Sequence, residues 1–115
     1  MTTPAVLDPD RLLDALDGDV ETMRGVVELF AAQRADLVGQ LRDAIRRSVA
    51  ADVHHVAHSL KGALATLGAD AAAEAAFRLE RIGRAGDLAT AAAAFAALER
   101  ELERLQPELD RLAAA

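Results

Sequence analysis

At 115 residues the chain is long enough to withdraw ~65% of its unfolded surface from water and short enough to be read as a single domain over residues 1–115. A formal charge of -6 and only three aromatic residues, Phe30, Phe77 and Phe95, argue against nucleic acid, which demands a clustered basic face and stacking rings. With no cysteine, no apolar run approaching ~18 residues, and neither a basic start nor an apolar core in Met1 to Asp10, no disulfide, thiolate metal site, membrane span or signal peptide is expected, which fits a cytoplasmic setting.

Twenty-eight alanines, seventeen leucines and few β-branched runs favour helix throughout, so the expected fold is all-α. Asp8 before Pro9 opens a short first helix, a carboxylate cap followed by proline at the first helical position. Leu12, Leu13 and Leu16 give it an apolar face, and Gly18 stops it. Asp19 caps a long second helix ending near Arg47, with an apolar stripe of Val20, Met23, Val27, Phe30, Leu37, Leu41 and Ile45. Arg34 interrupts that stripe, and Gly25 and Gly39 weaken the helix, so a local bend is expected.

Ser48 is expected to cap the third helix, about residues 49–67, leaving a connection so short that the two helices must run antiparallel. The third stripe is Val49, Val53, Val56, Leu60, Leu64 and Leu67, closed by Gly68. Asp70 is read as the cap of a fourth helix buried through Ala72, Ala76, Leu79 and Ile82. Phe77 falls off that stripe, on a face with Glu80, Arg81 and Arg84, where it marks either a docking surface or packing against a neighbouring helix end. Gly86 ends this helix and Asp87 caps the last one, whose seam is Leu88, Ala91, Phe95, Leu98, Leu102, Leu105, Leu109 and Leu112. That seam continues past Pro107, where a kink is expected, and Ala113 to Ala115 should fray. The sum is an up-and-down four-helix bundle with a short additional N-terminal helix across one end. Short turns favour packing within the chain over a self-associating coiled coil, hence a monomer.

The chemistry concentrates on the third helix. His58 lies ~200° around it from Leu60, so its imidazole faces away from the core. His54, His55, Lys61, Gly62 and Ala65 share the outward strip, because residues three and four apart are neighbours on a helix surface. A neutral imidazole nitrogen is a competent nucleophile near neutral pH. Lys61, one turn away, can offset charge on phosphoryl oxygens, and Gly62 leaves space for another protein's backbone at ~1 kcal/mol against alanine. Of the 13 basic residues besides histidine 12 are arginine, and the one lysine, a compact point charge, is Lys61. His54, His55, Ala65, Phe77 and Arg84 complete the candidate binding surface around His58. Which ring nitrogen reacts stays open at this level.

His58-Ser59-Leu60-Lys61-Gly62 followed by Leu67-Gly68-Ala69 resembles the signature of histidine-containing phosphotransfer (HPt) domains. Leu16-Asp17-Gly18-Asp19 before a helix ending in Glu28-Leu29-Phe30, and Leu79-Glu80 before Arg84-Ala85-Gly86-Asp87, resemble the family's other landmarks, so the likeness covers nearly the whole chain. It implies that His58 is the phosphorylated residue, Lys61 its electrostatic helper and Gly62 the clearance residue. Three features depart from the pattern: Thr66 stands where asparagine is frequent, and His54 and His55 where arginine is common. Glu80 occupies a position where some members carry glutamine near the histidine, and would set a negative charge near a phosphoryl group.

No Gly-x-x-x-x-Gly-Lys-[Ser/Thr] loop or protein-kinase signature is present, so the chain is expected to carry phosphoryl groups without an ATP site of its own. No acidic cluster flanks His58 in the sequence, the nearest upstream carboxylate being Asp52, so no cofactor is expected in this chain and Mg²⁺ is expected in the partner. The resemblance implies that partner: a response-regulator receiver domain or a hybrid histidine kinase, with phosphate passing between an aspartate and His58 in a two-component phosphorelay. Zinc on His54 and His58 is disfavoured, because His55 points ~100° away and the Glu of a His-Glu-x-x-His motif is missing. A phosphorylation-silent helical adaptor, and the phosphoacceptor module of a larger chemotaxis or hybrid sensor kinase, are the alternatives. Intact His58, Lys61 and Gly62 favour transfer, and Leu64 to Ala69 resembles the relay type.

Overall fold

The computed structural model describes residues 3–114, which form α1 (Pro9–Ala15), α2 (Val20–Arg46), α3 (Ala50–Leu67), α4 (Asp70–Ala85) and α5 (Ala91–Ala114), with no strand among the described residues. α2 and α4 each pack against both α3 and α5, so four helices close a ring, and α1 leans on α2 and α3 at one end. The interior is one cluster in which α3 supplies Val53, Ala57, Leu60, Leu64 and Leu67, and α5 supplies Leu98, Leu102, Leu105 and Leu109. Each fully buried leucine contributes about 1.5–3 kcal/mol relative to an exposed one. Of the expected α2 stripe, Met23, Val27, Phe30 and Leu41 are buried, whereas Val20, at the first turn beyond the bundle's packed region, is 42% exposed.

Local chemistry explains most of the boundaries. Asp8 accepts the N–H of Arg11 at 3.1 Å with Pro9 at the start of α1, and Asp19 accepts that of Thr22 at 3.2 Å, both carboxylates standing where the helix dipole is positive. Gly68 and Gly86, at φ of 80° and 84°, end α3 and α4 in the left-handed conformation that glycine adopts without strain.

Three expected caps are corrected. Ser48 has φ of 57° and finishes α2 instead of opening α3: the next amide, Val49 N–H, wraps back to the Ala44 carbonyl at 3.0 Å, satisfying an end carbonyl of α2. Val49 takes the cap position of α3 without a side-chain bond. Asp70 is the first residue of α4, with Ala69 at the cap, because its carboxylate is drawn to the Arg11 guanidinium at 2.5 and 3.0 Å. Asp87 accepts from Ala89 N–H at 3.0 Å within a turn, and α5 proper starts later, at Ala91. That last helix runs through Pro107, with Leu109 buried beyond it, and stays helical to Ala114 where fraying was expected; Ala115 lies outside the described residues.

The α3–α4 pair is the tightest in the bundle. Ala72, Ala75, Ala76 and Gly83 line the buried side of α4. At Gly83 the approach is closest: a Cβ there would stand 2.5 Å from His54 N and 2.9 Å from the Ala50 carbonyl oxygen.

Candidate functional site

The antiparallel register of α3 and α4 pairs their residues turn by turn. His54 lies by Gly83, His58 by Glu80, and Lys61 by Phe77. The His58 side chain is 64% exposed, as its position opposite Leu60 requires, yet Nδ1 is not in solvent. It hydrogen-bonds Oε1 of Glu80, whose side chain is only 1% exposed. The other oxygen, Oε2, accepts from Lys61 Nζ at 2.9 Å, and the Arg84 guanidinium stands 4.0 Å from Oε1.

A buried carboxylate is costly unless its charge is paired and its lone pairs are used, and α3 meets both needs here. The Lys61 hydrogen bond holds the Glu80 carboxyl below the ordinary glutamate range; burial opposes this, and the His58 hydrogen bond adds to it. An ionised carboxylate can only accept, so the proton of neutral His58 resides on Nδ1 and the lone pair on Nε2. Nε2 is left without a hydrogen-bond partner among the described residues, on a side chain that is mostly exposed. The same reasoning places a proton on Nδ1 of half-buried His54, which donates to the Glu80 carbonyl at 3.3 Å.

The Glu80 position corrects the sequence reading, which placed it with Phe77 on a face outside the buried stripe. Helical spacing allows both assignments, since Ala76, Glu80 and Gly83 also recur at steps of four and three, and packing against α3 selects the buried one. Gly83 was not singled out at all. The available signal was a glycine continuing the stripe Ala72, Ala76 and Leu79 in the last turn of the helix, three residues before the Gly86 that ends it.

The remaining candidates divide into two groups. Phe77, 39% exposed, joins the site: Lys61 Nζ lies 4.9 Å and the Arg81 guanidinium 5.7 Å from its ring centroid, so it flanks the cations. Gly62 and Ala65 are exposed on the outer face of α3, and a Cβ at Gly62 would meet nothing within 4 Å. Thr66 donates its hydroxyl to the Gly62 carbonyl at 3.0 Å. His55 is exposed, with its ring edge-on to that of His54 at 5.0 Å between centroids. Among the described residues no three His, Cys, Asp or Glu side chains converge as a metal site, and no helix is long and apolar enough to cross a membrane.

The Hpt domain model matches residues 25–108. The crystal structure of histidine-containing phosphotransfer protein B from Pseudomonas aeruginosa superposes with a TM-score of 0.87 at 26% sequence identity, covering 97% of each chain. No curated protein matches the sequence. The family match spans well over half of the chain, including both helices that form the His58 site: the chain belongs to the Hpt domain family.

Proposed function

We propose that this chain is a histidine phosphotransfer protein of a two-component phosphorelay, accepting a phosphoryl group on Nε2 of His58 and returning it to a receiver aspartate. The observation that carries the reading is the Nδ1–Glu80 hydrogen bond, which commits the imidazole to one tautomer with its lone pair on Nε2. In the forward step the Nε2 lone pair attacks phosphorus of an aspartyl phosphate, the P–O bond breaks, and the aspartate leaves as carboxylate. The imidazole becomes cationic as the bond forms, and Glu80, already holding Nδ1–H, stabilises that charge. The reverse step restores the neutral ring with its proton still on Nδ1.

Lys61 is placed to share its ammonium between Glu80 and the phosphoryl oxygens, and the open side of Gly62 gives a receiver's backbone its approach. The exposed cations Arg84, 4.0 Å from the Glu80 carboxylate, and Arg81, over the Phe77 ring, add positive charge on the α4 side of the site in a chain of charge -6, suited to an acidic receiver site. His54, His55, Ala65 and Phe77 form the surrounding contact surface. Mg²⁺ belongs to the receiver in this reading, where it neutralises phosphoryl oxygens. The chain acts as a monomeric cytoplasmic carrier with no ATP site.

The test is transfer of labelled phosphate from a phosphorylated receiver domain with Mg²⁺, for the native chain and His58→Gln. Acid-labile label on the native chain alone is the expected result. No label from a broad panel of receivers and kinases, with binding retained, would replace transfer by a phosphorylation-silent adaptor role.

A further inference from the structure

Glu80 reaches His58 across the α3–α4 seam, and one turn away that seam has its closest backbone approach. One turn along from the Glu80–His58 pair, Gly83 faces the α3 backbone; an added Cβ would lie 2.5 Å from His54 N, 2.9 Å from His54 Cα and 2.9 Å from the Ala50 carbonyl oxygen. All three atoms are backbone, so no side-chain rotation relieves the overlap, and only a shift of one helix against the other makes room. The same crossing carries the His54 Nδ1–H bond to the Glu80 carbonyl at 3.3 Å, which ties a side chain of α3 to the backbone of α4 at this level.

We infer that Gly83 is a positioning residue for the phosphoacceptor: its missing side chain lets α4 close on α3 at His54, and this spacing brings the Glu80 carboxylate within reach of His58 Nδ1. The inference rests on His58 being the phosphoryl acceptor but concerns the tautomer, which can be measured without any phosphate. It separates Gly83 from Gly25 and Gly39 of α2, where an added Cβ would meet nothing within 4 Å.

The experiment is ¹⁵N NMR of the His58 ring in the full chain, comparing the native protein, Gly83→Ala, Gly25→Ala and Glu80→Ala above the imidazole titration. The native and Gly25→Ala proteins should show His58 protonated on Nδ1. Gly83→Ala should shift the ring toward the Nε2–H form seen in Glu80→Ala, with a helical spectrum retained and phosphate uptake slowed about tenfold to a hundredfold, the range for an ångström-scale misplacement. A purely structural glycine would lower stability without moving the tautomer.

A native-like tautomer in Gly83→Ala overturns the inference, as does a native protein whose His58 is not protonated on Nδ1. A tautomer shift in a chain that takes up no phosphate from any donor sustains the positioning role and removes the relay instead. To keep the result readable if Gly83→Ala is unstable, the substitution is repeated with Gly25→Ala and Gly39→Ala, which raise helix propensity elsewhere. Loss of helix even in that background assigns Gly83 to folding alone and overturns the inference.

Discussion

Glu80 and His58, 22 residues apart in the chain, are joined by a hydrogen bond between a carboxylate that is 1% exposed and an imidazole that is 64% exposed. One group anchors and the other reacts. Because Lys61 occupies the second carboxylate oxygen, the three side chains form one charge-coupled unit spanning α3 and α4.

The first consequence is in acid. The Glu80 carboxyl is held below its ordinary range in the fold, so the unfolded chain binds the proton more readily. Its contribution to stability is fully present above about pH 4.3, the ordinary glutamate value, and is lost as pH falls through the lower folded value. Urea unfolding from pH 7 down to pH 3 should therefore show the native chain losing stability more steeply than Glu80→Gln. Parallel curves would detach Glu80 from the acid limb.

Removing Lys61 tests the same unit from the other side. Lys61→Ala should slow phosphoryl transfer about ten- to a hundredfold, the scale expected for loss of one positioned charge, while circular dichroism stays helical. Since the Lys61 hydrogen bond is the largest influence lowering the Glu80 carboxyl, the acid limb of stability should also become shallower, as the folded and unfolded carboxyls then bind the proton more alike. Unchanged transfer rates would remove the electrostatic role.

At Gly62 stability and function should move in opposite directions. A Cβ there meets nothing within 4 Å, and replacing glycine inside a helix with glutamine gains roughly 0.5–1 kcal/mol. Gly62→Gln should thus unfold at higher urea yet receive phosphate more slowly, because the new side chain stands where a receiver must approach. Full activity in this variant would eliminate the clearance role.

Core substitutions should show the reverse separation. Leu64 is fully buried on the inner side of α3, and Leu64→Ala should destabilise by about 2–5 kcal/mol, read as a lower urea midpoint. Well below that midpoint, transfer through outward-facing His58 should remain close to native. A selective loss of transfer from the folded variant would mean that the α3 core and its outer face are coupled.

The histidine helix was legible before the structure because its information is local. Apolar steps from Val53 to Leu67 orient one helix face, and a side chain opposite Leu60 must then face water; His58, Lys61 and Gly62 follow from that alone. The caps at Asp8 and Asp19 were readable for the same reason, each being a contact three residues long. One cap failed where a distant group competed: Asp70 stands inside α4, with its carboxylate paired to Arg11, 59 residues away. Ser48 failed because one turn could serve either helix, and wrapping α2 closed satisfied its carbonyls.

Length, composition and period by themselves determined an all-helical chain with a wet histidine beside a lysine. Only the tertiary structure decided that Glu80 is buried and that it holds Nδ1 of His58. The reason is physical: the side-chain period assigns Glu80 to either of two faces of α4, and the choice depends on how closely α3 approaches, a distance set at Gly83 by atoms of another helix.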